Sequence, residues 1–394
     1  MALAPPLPRG PVLGWSSFHL VDAPGIASIE DLKHKAYTTS GRAAIYQALL
    51  QLALPPGSTV LVPTYHCPTM VAPVILADLA VAYFCIGADG LPLLDTIDAQ
   101  TASHCKAMLV SHYFGRANSL AEVRQWCDER GIALIEDCAH CFFGYAGERP
   151  VGAWGDFATA SLSKFLPIPE GGVLTSAHRP ITALRLAAPG PKAQLKGVID
   201  VLELGARHNR FTGLNKLLRF FFRLKNARAG AKPAADSQVS KTPESLAVTM
   251  MRDCDMARIS QSPLKASMAL EALLPRGRII VRRQQNYDCY ARLLNRVPGA
   301  RPLFGLPSAV ASHIAPYVFP LWVDDADRVY LALRAYELPV FRWDRIWPGT
   351  PQTDGDFGPL WSRHVLQLLC HQDLSQADVE QTCRAIISLL QTKP

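Results

Sequence analysis

The chain has 394 residues, of which 49% are hydrophobic and 19% are charged, and its formal net charge is +7. This is the composition of a globular protein with an ample core, and the length is typical of two or three domains. The positive excess favours anionic ligands but is too dilute for a nucleic-acid-binding protein. The N-terminal residues lack the pattern of a secretory signal, and no apolar run approaches the ~20 residues needed to span a bilayer. We therefore expect a cytoplasmic protein.

Ten cysteines are scattered along the chain, several of them in apolar runs. In a chain without a secretory signal, they are expected to be buried thiols rather than disulfides. The only Cys-x-x-Cys pair, Cys138 and Cys141, has no second pair at the spacing of a zinc ribbon, so no metal site is predicted.

Helix and strand signals alternate through the first half of the chain. They follow a proline-rich arm, residues 1–36, which is expected to wrap an edge of the fold. Helices are predicted at 42–54, 70–80 and 119–131 (the last with a serine N-cap and a glycine stop), and strands at 57–65, 81–86, 106–115 and 132–140. Strands separated by helices of this length predict right-handed βαβ units, and hence an α/β fold with a mostly parallel central sheet.

The alternation stops after residue 180. Residues 180–250 are rich in charge, glycine and proline, and are interpreted as an insertion with a flexible stretch at 228–245. Beyond it we predict a helix at 281–297, strands at 317–323 and 338–343, and a closing helix with a serine N-cap at 375–391. The expected organisation is an N-terminal arm (1–36), a large domain (37–275) that contains the insertion, and a smaller α+β domain (276–394).

One stretch of the insertion, residues 214–228, has helical spacing. Its basic side chains at 216, 219 and 223 lie opposite an apolar face made of Leu214, Leu217, Leu218, Phe221 and Leu224. We favour an amphipathic helix that covers the protein's own core or a dimer surface, with Leu217 and Phe221 buried. A helix that contacts a membrane surface or an acidic partner is an alternative, as is a lid that contacts a diphosphate.

Ligands of parallel α/β sheets bind beyond the carboxyl ends of the strands. This rule directs attention to His66, Tyr113 and Asp137, each of which lies at or just beyond the end of an apolar strand. The alternative for Asp137 is a structural role as the N-cap of a following helix.

Lys164 lies between two apolar runs in the stretch SLSKFLPIPEGG, residues 161–172. Burial lowers the pKa of a lysine, and a neutral amine can attack a carbonyl carbon. The alternative is a lysine at the end of a buried strand whose amine reaches water. Ser161 lies three residues earlier and could offer a hydroxyl near the same place.

Ser40, Gly41 and Arg42 open the first predicted helix. Backbone N–H groups and the helix dipole make such an N-terminus suitable for an anion, although plain capping is the commoner role. Pyridoxal phosphate requires a lysine for its aldehyde, a carboxylate for its ring nitrogen, a helix N-terminus with hydroxyls for its phosphate, and a flat group over its ring. The order and placement of these residues together point to that cofactor.

These motifs resemble the DegT/DnrJ/StrS-type aminotransferases, which are fold-type I pyridoxal-phosphate enzymes best known for acting on nucleotide sugars. The resemblance covers residues 36–178 well and 255–394 more loosely. It is carried by TSGRAAI (39–45), GSTVLVPTYHCPTMVAPV (57–74), SHYFGRANSLAEVRQWCDERGIALIEDCAHCFFG (111–144), VGAWGDFATASLSKFLPIPEGGVL (151–174) and CHQDLSQADVEQ (370–381). It implies the fold-type I architecture and a homodimer in which the partner chain contributes phosphate or substrate contacts.

The resemblance also implies a role for each site residue. Lys164 would bind the cofactor covalently and, once free, move a proton of the substrate. Asp137 would pair with the pyridine nitrogen, and His140 would lie beside the ring near its 3-hydroxyl. The phosphate would be held by Ser161, Gly41 and Arg42.

The sequence departs from the family pattern at several positions. The aromatic side chain that usually stacks on the cofactor ring is absent, and His66 or Tyr65 is expected in its place. Arg42 stands where relatives carry a threonine, so a guanidinium replaces a hydroxyl. Met256 stands where relatives carry an asparagine that reaches the phosphate across the dimer.

The expected function is transfer of an amino group from an amino acid such as glutamate to a keto group on a nucleotide-linked sugar, in polysaccharide or natural-product biosynthesis. Two alternatives stay open. The first is another pyridoxal-phosphate reaction, such as dehydration or transamination of a non-sugar, carrier-bound substrate. The second is a catalytically silent regulatory or binding relative.

Overall fold

The computed structural model describes residues 7–228, 245–304 and 314–392. The α-helices in these ranges are α1 (Gly41–Leu52), α2 (Pro68–Leu76), α3 (Ala99–His104), α4 (Ala121–Arg130), α5 (Pro191–Arg207), α6 (Asn215–Arg228), α7 (Leu246–Asp253), α8 (Lys265–Leu273), α9 (Arg276–Leu294), α10 (Ala326–Ala335), α11 (Phe357–His364) and α12 (Gln376–Gln391). The strands are β1 (His34–Thr38), β2 (Thr59–Pro63), β3 (Ala80–Phe84), β4 (Cys105–Ser111), β5 (Ala133–Asp137), β6 (Tyr145–Ala146), β7 (Arg149–Pro150), β8 (Phe157–Ser161), β9 (Gly172–Ser176), β10 (Ala300–Pro302), β11 (Val318–Val323), β12 (Val340–Phe341) and β13 (Val365–Leu369).

The larger sheet has seven strands in the order β1-β9-β8-β5-β4-β2-β3. The strands from β3 to β8 in this order are parallel, whereas β9 is antiparallel to both β8 and β1. The carboxyl ends of β5 and β8 therefore lie side by side, which places Asp137 next to the turn that carries Lys164. The predicted α/β fold with a mostly parallel sheet is confirmed.

The apolar strands of this sheet are covered on both faces, as expected for parallel strands. In β2, the side chains of Val60 and Val62 pack in the core on one face, and that of Leu61 packs in the core on the other. This division follows from the alternation of side chains along a strand. Helix α1 packs against β8 and β9, and its N-terminus lies at the same edge as the strand ends.

The smaller sheet is antiparallel, with the order β10-β11-β13-β12, and helices α9 and α12 pack together beside it. All five side chains of β13 are buried, and the sequence analysis did not identify this strand because it follows α11 without a break. We retain 37–275 and 276–394 as the proposed limits of the two domains.

Several local predictions need correction. The N-cap of α4 is Leu120 rather than Ser119, although the hydroxyl of Ser119 accepts a hydrogen bond from Ala121 N at 3.3 Å. The glycine stop, Gly131, adopts the predicted left-handed conformation with φ of 63°. The insertion contains a 17-residue helix, α5, that was not predicted. The stretch predicted to be flexible, 228–245, lies almost wholly outside the described residues.

Helix α6 is amphipathic, but the predicted orientation of its apolar face is wrong. Leu217 and Phe221 are 63% and 55% exposed, whereas Phe222 is only 6% exposed. Leu214, just before the helix, and Leu218 pack against the core, and Phe222, four residues further on, is buried. Leu217 and Phe221 therefore lie on a second apolar face. None of the described helices is long and apolar enough to cross a membrane.

The two neighbouring phenylalanines of α6 allow a direct test of this orientation. We expect Phe222→Ala to lower the free energy of unfolding by about 3 kcal/mol, because it leaves a cavity in the core. Phe221→Ala should lower it by less than about 1 kcal/mol, because the exposed ring loses little buried area. Urea denaturation of the two variants measures both values, and a larger loss for Phe221→Ala than for Phe222→Ala would contradict the orientation.

Candidate active site

Lys164 ends a short 3-10 turn that directly follows β8. Its ammonium group lies 5.1 Å from the centre of the Tyr317 ring, at a cavity of about 200 Å³. Burial lowers the pKa of Lys164, and the nearby charge of Asp137 opposes this shift. Among the described residues, no carboxylate is within ion-pair distance of its amine. The amine therefore faces the cavity without a fixed partner.

Asp137 is the last residue of β5 and is 6% exposed. One carboxylate oxygen, Oδ1, accepts a hydrogen bond from Ala139 N at 2.9 Å, and Ser111 Oγ lies 3.5 Å from Oδ2. Turns rather than a helix follow β5, so the helix-cap alternative is wrong. Burial raises the pKa of Asp137, while the charge of Lys164 acts in the opposite direction.

His140 is buried beside Lys164. Its ring stacks on Tyr317 with 4.4 Å between ring centres, and lies 4.8 Å from the ring of Trp343. Burial, assisted by the charge of Lys164, lowers the pKa of His140 well below its usual value, so the imidazole is neutral. Because Nδ1 accepts the N–H of Phe114 at 3.3 Å, the proton of the neutral ring is assigned to Nε2.

The N-terminus of α1 closes this edge of the sheet. The Ser40 hydroxyl caps the helix by accepting a hydrogen bond from Ala43 N at 3.3 Å. A Cβ atom on Gly41 would lie 3.3 Å from the Cβ of Ser161, so the absence of a side chain keeps a narrow gap between the helix and β8. The N-terminal backbone of α1 and the side chain of Ser161 therefore border this gap, which we call the cradle.

Two predicted site residues are engaged elsewhere. The guanidinium of Arg42 donates to the carbonyl oxygen of Asp255 at 3.1 Å and lies 3.6 Å from its carboxylate. His66 is fully buried, with Nδ1 bonded to Pro63 O at 2.8 Å and Nε2 accepting the N–H of Trp347 at 2.9 Å. Because both ring nitrogens are occupied and the ring stacks on Tyr83, His66 does not join the cluster around Lys164.

Tyr65 does not take the predicted ring-stacking position either. Its side chain is fully buried among other aromatic rings, and its hydroxyl accepts a hydrogen bond from Gln367 at 3.4 Å. The aromatic residues that meet the cluster are instead Tyr317 and Trp343. Both come from the C-terminal part of the chain, far from the strand-end loops on which the sequence analysis concentrated.

The backbone of the Lys164 turn is held by a buried arginine that the sequence analysis missed. Arg283 of α9 is fully buried and donates to Lys164 O at 2.7 Å, to Pro316 O at 3.1 Å and to the side chain of Gln372 at 3.0 Å. Gln372 in turn donates to Phe165 O at 2.7 Å. The sequence offered one signal for this role: helical periodicity places Arg283 on the inner face of its helix, where an arginine is unusual.

A second carboxyl group, that of Glu136, lies one residue before Asp137 and is fully buried. It accepts hydrogen bonds from Gly152 N, Trp154 N and Gly155 N at 2.6–3.2 Å, and is 2.8 Å from His112 Nε2. His112 and Glu136 also lie near the thiol of Cys138, a grouping that could hold a metal ion. The hydrogen bonds to Glu136 instead indicate a structural role.

The residues present fit pyridoxal phosphate. A lysine without a fixed partner, a buried carboxylate and a neutral histidine meet beside a helix N-terminus, and the gap at Gly41 leaves room for backbone contacts. Lys164, Asp137 and His140 would hold the ring end of the cofactor. Ser161 and the N-terminus of α1 would hold the phosphate.

Comparison with known proteins relates part of the chain to an aminotransferase family. The model of the DegT/DnrJ/EryC1/StrS aminotransferase family matches residues 26–186. The GDP-perosamine synthase of Vibrio cholerae is 28% identical over 148 residues, which are 37% of this chain and 40% of that protein. The L-glutamine:2-deoxy-scyllo-inosose aminotransferase of Streptomyces kanamyceticus is 28% identical over 180 residues, 45% of this chain and 42% of that protein. The chain thus spans less than half the length of these relatives.

Likeness in structure extends further along the chain. The S. venezuelae protein DesV superposes with a TM-score of 0.60 over 93% of this chain and 87% of its own, at 16% sequence identity. At this identity the likeness shows the fold alone. The matched segment, residues 26–186, contains the strand-end motifs, the carboxylate and the lysine described above, and this part of the chain is similar to the DegT/DnrJ/EryC1/StrS aminotransferase family.

Proposed function

We propose that this protein is a pyridoxal-phosphate-dependent aminotransferase that moves an amino group from an amino acid such as glutamate to a keto group on a nucleotide-linked sugar. The observation that carries the proposal is the meeting of Lys164, Asp137 and His140 in one buried cluster beside the N-terminus of α1. The sugar acceptor is supported by the family and by the GDP-perosamine synthase among its relatives. A cytoplasmic location is supported by ten free cysteines, eight of them buried.

Lys164 is placed to hold the cofactor and to move a proton. Bound pyridoxal phosphate would supply an electrophilic carbon and a ring that takes up the electrons released at the substrate's α-carbon. Because burial lowers the pKa of Lys164, more of its amine is neutral at a given pH than in a lysine exposed to water. A neutral amine next to the substrate can accept a proton from one carbon and return it to another.

Asp137 and His140 are suited to opposite parts of the cofactor ring. Asp137 Oδ1 is held by Ala139 N, which fixes the carboxylate, and Oδ2, 3.5 Å from Ser111 Oγ, would be the oxygen available to a protonated ring nitrogen. The neutral His140 has its proton on Nε2, and no acceptor for that N–H is found in the described part of the chain. It can therefore donate to an oxygen on the ring.

The cradle beside α1 is suited to the phosphate. The N–H of Ala43 is already taken by the Ser40 hydroxyl, so the first N–H groups of the helix, those of Gly41 and Arg42, remain for an anion. The Ser161 hydroxyl, 3.5 Å from that of Ser163, adds a side-chain donor. This arrangement uses the backbone of Arg42 and leaves its guanidinium on Asp255.

Replacement of Lys164 tests the central assignment. We expect Lys164→Ala to abolish amino transfer and covalent attachment of the cofactor while the fold is kept, because the residue follows a strand end. Lys192→Ala, at an exposed position of α5, is the matched control and should keep both properties. Mass spectrometry after borohydride reduction locates the pyridoxyl group. A reduced adduct that persists on Lys164→Ala would contradict the assignment.

Replacement of Asp137 tests the electronic role of the carboxylate. An asparagine at this position would keep the size of the side chain but could not keep a ring nitrogen protonated. We therefore expect Asp137→Asn to bind the cofactor and to lose about 100-fold or more in rate. Asp354→Asn, in an exposed loop, is the control. Near-normal turnover of Asp137→Asn would contradict this electronic role and would leave Asp137 with a structural role in the turn only.

We also propose a homodimer with phosphate or substrate contacts from the partner chain. Helices α1 and α2 pack together and expose Leu50, Ile75 and Leu76, which supports an interface on this side of the large sheet. Light scattering should give twice the chain mass of 43.1 kDa. A fully active protein with the mass of one chain would remove this proposal.

A further inference from the structure

The cavity at Lys164 has one wall made by the N-terminal arm. Its lining includes Arg9, Gly10 and Pro11 of the arm together with Lys164 and Tyr317. Arg9 is exposed at the residue level, so its side chain lies at the mouth of the cavity rather than deep inside. Any substrate that reaches the Lys164 amine through this opening must pass the arm.

The arm is fixed on both sides of Arg9. Pro8 O accepts a hydrogen bond from His371 Nε2 at 2.9 Å, and Val12 N donates to Asp373 Oδ2 at 2.9 Å. Burial lowers the pKa of His371 to about 4, and its Nδ1 accepts the N–H of Asp373, so Nε2 carries the proton at neutral pH. These two attachments hold the backbone of Arg9 in place.

The guanidinium of Arg9 lacks the partners that a structural arginine has. It lies 4.8 Å from the centre of the Phe341 ring, and no hydrogen-bond acceptor or carboxylate for it is found within the described ranges. Arg283, by contrast, uses its donors on backbone and side-chain oxygens around Lys164. Asp373, which anchors the arm through Val12 N, is already paired with Arg278, and the two groups are 2.7 Å apart.

A second cation lies in the same area. Partial burial lowers the pKa of Arg9, the positive charge of Arg334 on α10 lowers it further, and Tyr330 acts in the opposite direction. No ion pair of Arg334 occurs among the residues that the structure describes. Arg9, which lines the cavity, thus carries a positive charge without an acidic partner in the described ranges, and a bound anion would offset that charge.

We propose that Arg9 is the centre of a subsite that binds an anionic group of the substrate, a carboxylate or a phosphate, and so orients the substrate toward Lys164. This inference rests on the proposed function, because it takes the bound anion to belong to a substrate of amino transfer. A guanidinium offers paired donors that match the oxygens of either group. Held at the mouth by its backbone, Arg9 selects anionic substrates without taking part in the proton transfers.

The subsite can be tested by binding without turnover. Titration calorimetry of the holoenzyme uses glutarate as the probe for a carboxylate and inorganic pyrophosphate as the probe for a phosphate. We expect Arg9→Gln to weaken binding by about 10-fold or more, because a charge-assisted hydrogen bond is lost. Arg9→Lys should retain part of the affinity. Arg384→Gln, an exposed arginine of α12, should stay within about twofold of the wild type.

The two probes identify the source of the anion. If Arg9→Gln loses affinity for glutarate alone, the subsite binds the carboxylate of an amino acid. If it loses affinity for pyrophosphate alone, the subsite binds a phosphate of the acceptor. A loss of affinity for both probes indicates a subsite that accepts either group. Unchanged affinities in Arg9→Gln, an equal loss in Arg384→Gln, or no binding of either probe to the wild type would overturn the proposal. The proposed function fails on a different result, amino transfer by Lys164→Ala, so the two failures are distinguishable.

Discussion

Two adjacent carboxyl groups at the end of β5 determine how the rest of the site is built. Successive side chains of a strand point to opposite faces of a sheet, so Glu136 and Asp137 cannot serve the same purpose. The buried carboxylate of Glu136 accepts hydrogen bonds from backbone N–H groups of the turn at residues 152–155 and so holds that turn in place. Asp137 is thereby held at the opposite face, where it meets Lys164. One strand end thus supplies both a fixed support and a reactive group.

The remaining parts of the cluster come from distant regions of the chain. Tyr317 reaches His140 from the segment before β11, Arg283 reaches the Lys164 turn from α9, and Arg9 reaches the cavity from the arm. Each is held by hydrogen bonds or ring contacts that the smaller sheet and its flanking segments provide. The large sheet alone therefore presents the lysine and the carboxylate, and the C-terminal residues enclose them.

Much of the large sheet could be predicted from sequence, because its strands are continuous apolar runs and its helices have clear periodicity. The strand-end rule also directed attention to Asp137, which ends β5, the neighbour of the strand before the Lys164 turn. It failed for His66, which lies where the rule expects a ligand-binding residue but has both ring nitrogens captured by nearby backbone groups. One of these hydrogen bonds comes from Trp347, which is far from His66 in the sequence, so no local pattern could have predicted it.

Helix α6 shows a different limit. Periodicity established that the helix is amphipathic, but its sequence offers two apolar faces, one through Phe222 and one through Phe221. Which face meets the core depends on the surface of the domain against which it packs, and that surface is formed by residues elsewhere in the chain. Arg283 and Tyr317 were missed for the same reason, since their roles exist only after the two sheets come together.

The hydrogen bonds of Arg283 have a mechanical consequence. They join the turn that carries Lys164 to the segments around Pro316 and Gln372, so the lysine backbone is attached to both parts of the molecule at once. A displacement of the smaller sheet against the larger one would therefore have to break these buried hydrogen bonds, at a cost in free energy, or carry the Lys164 turn with it.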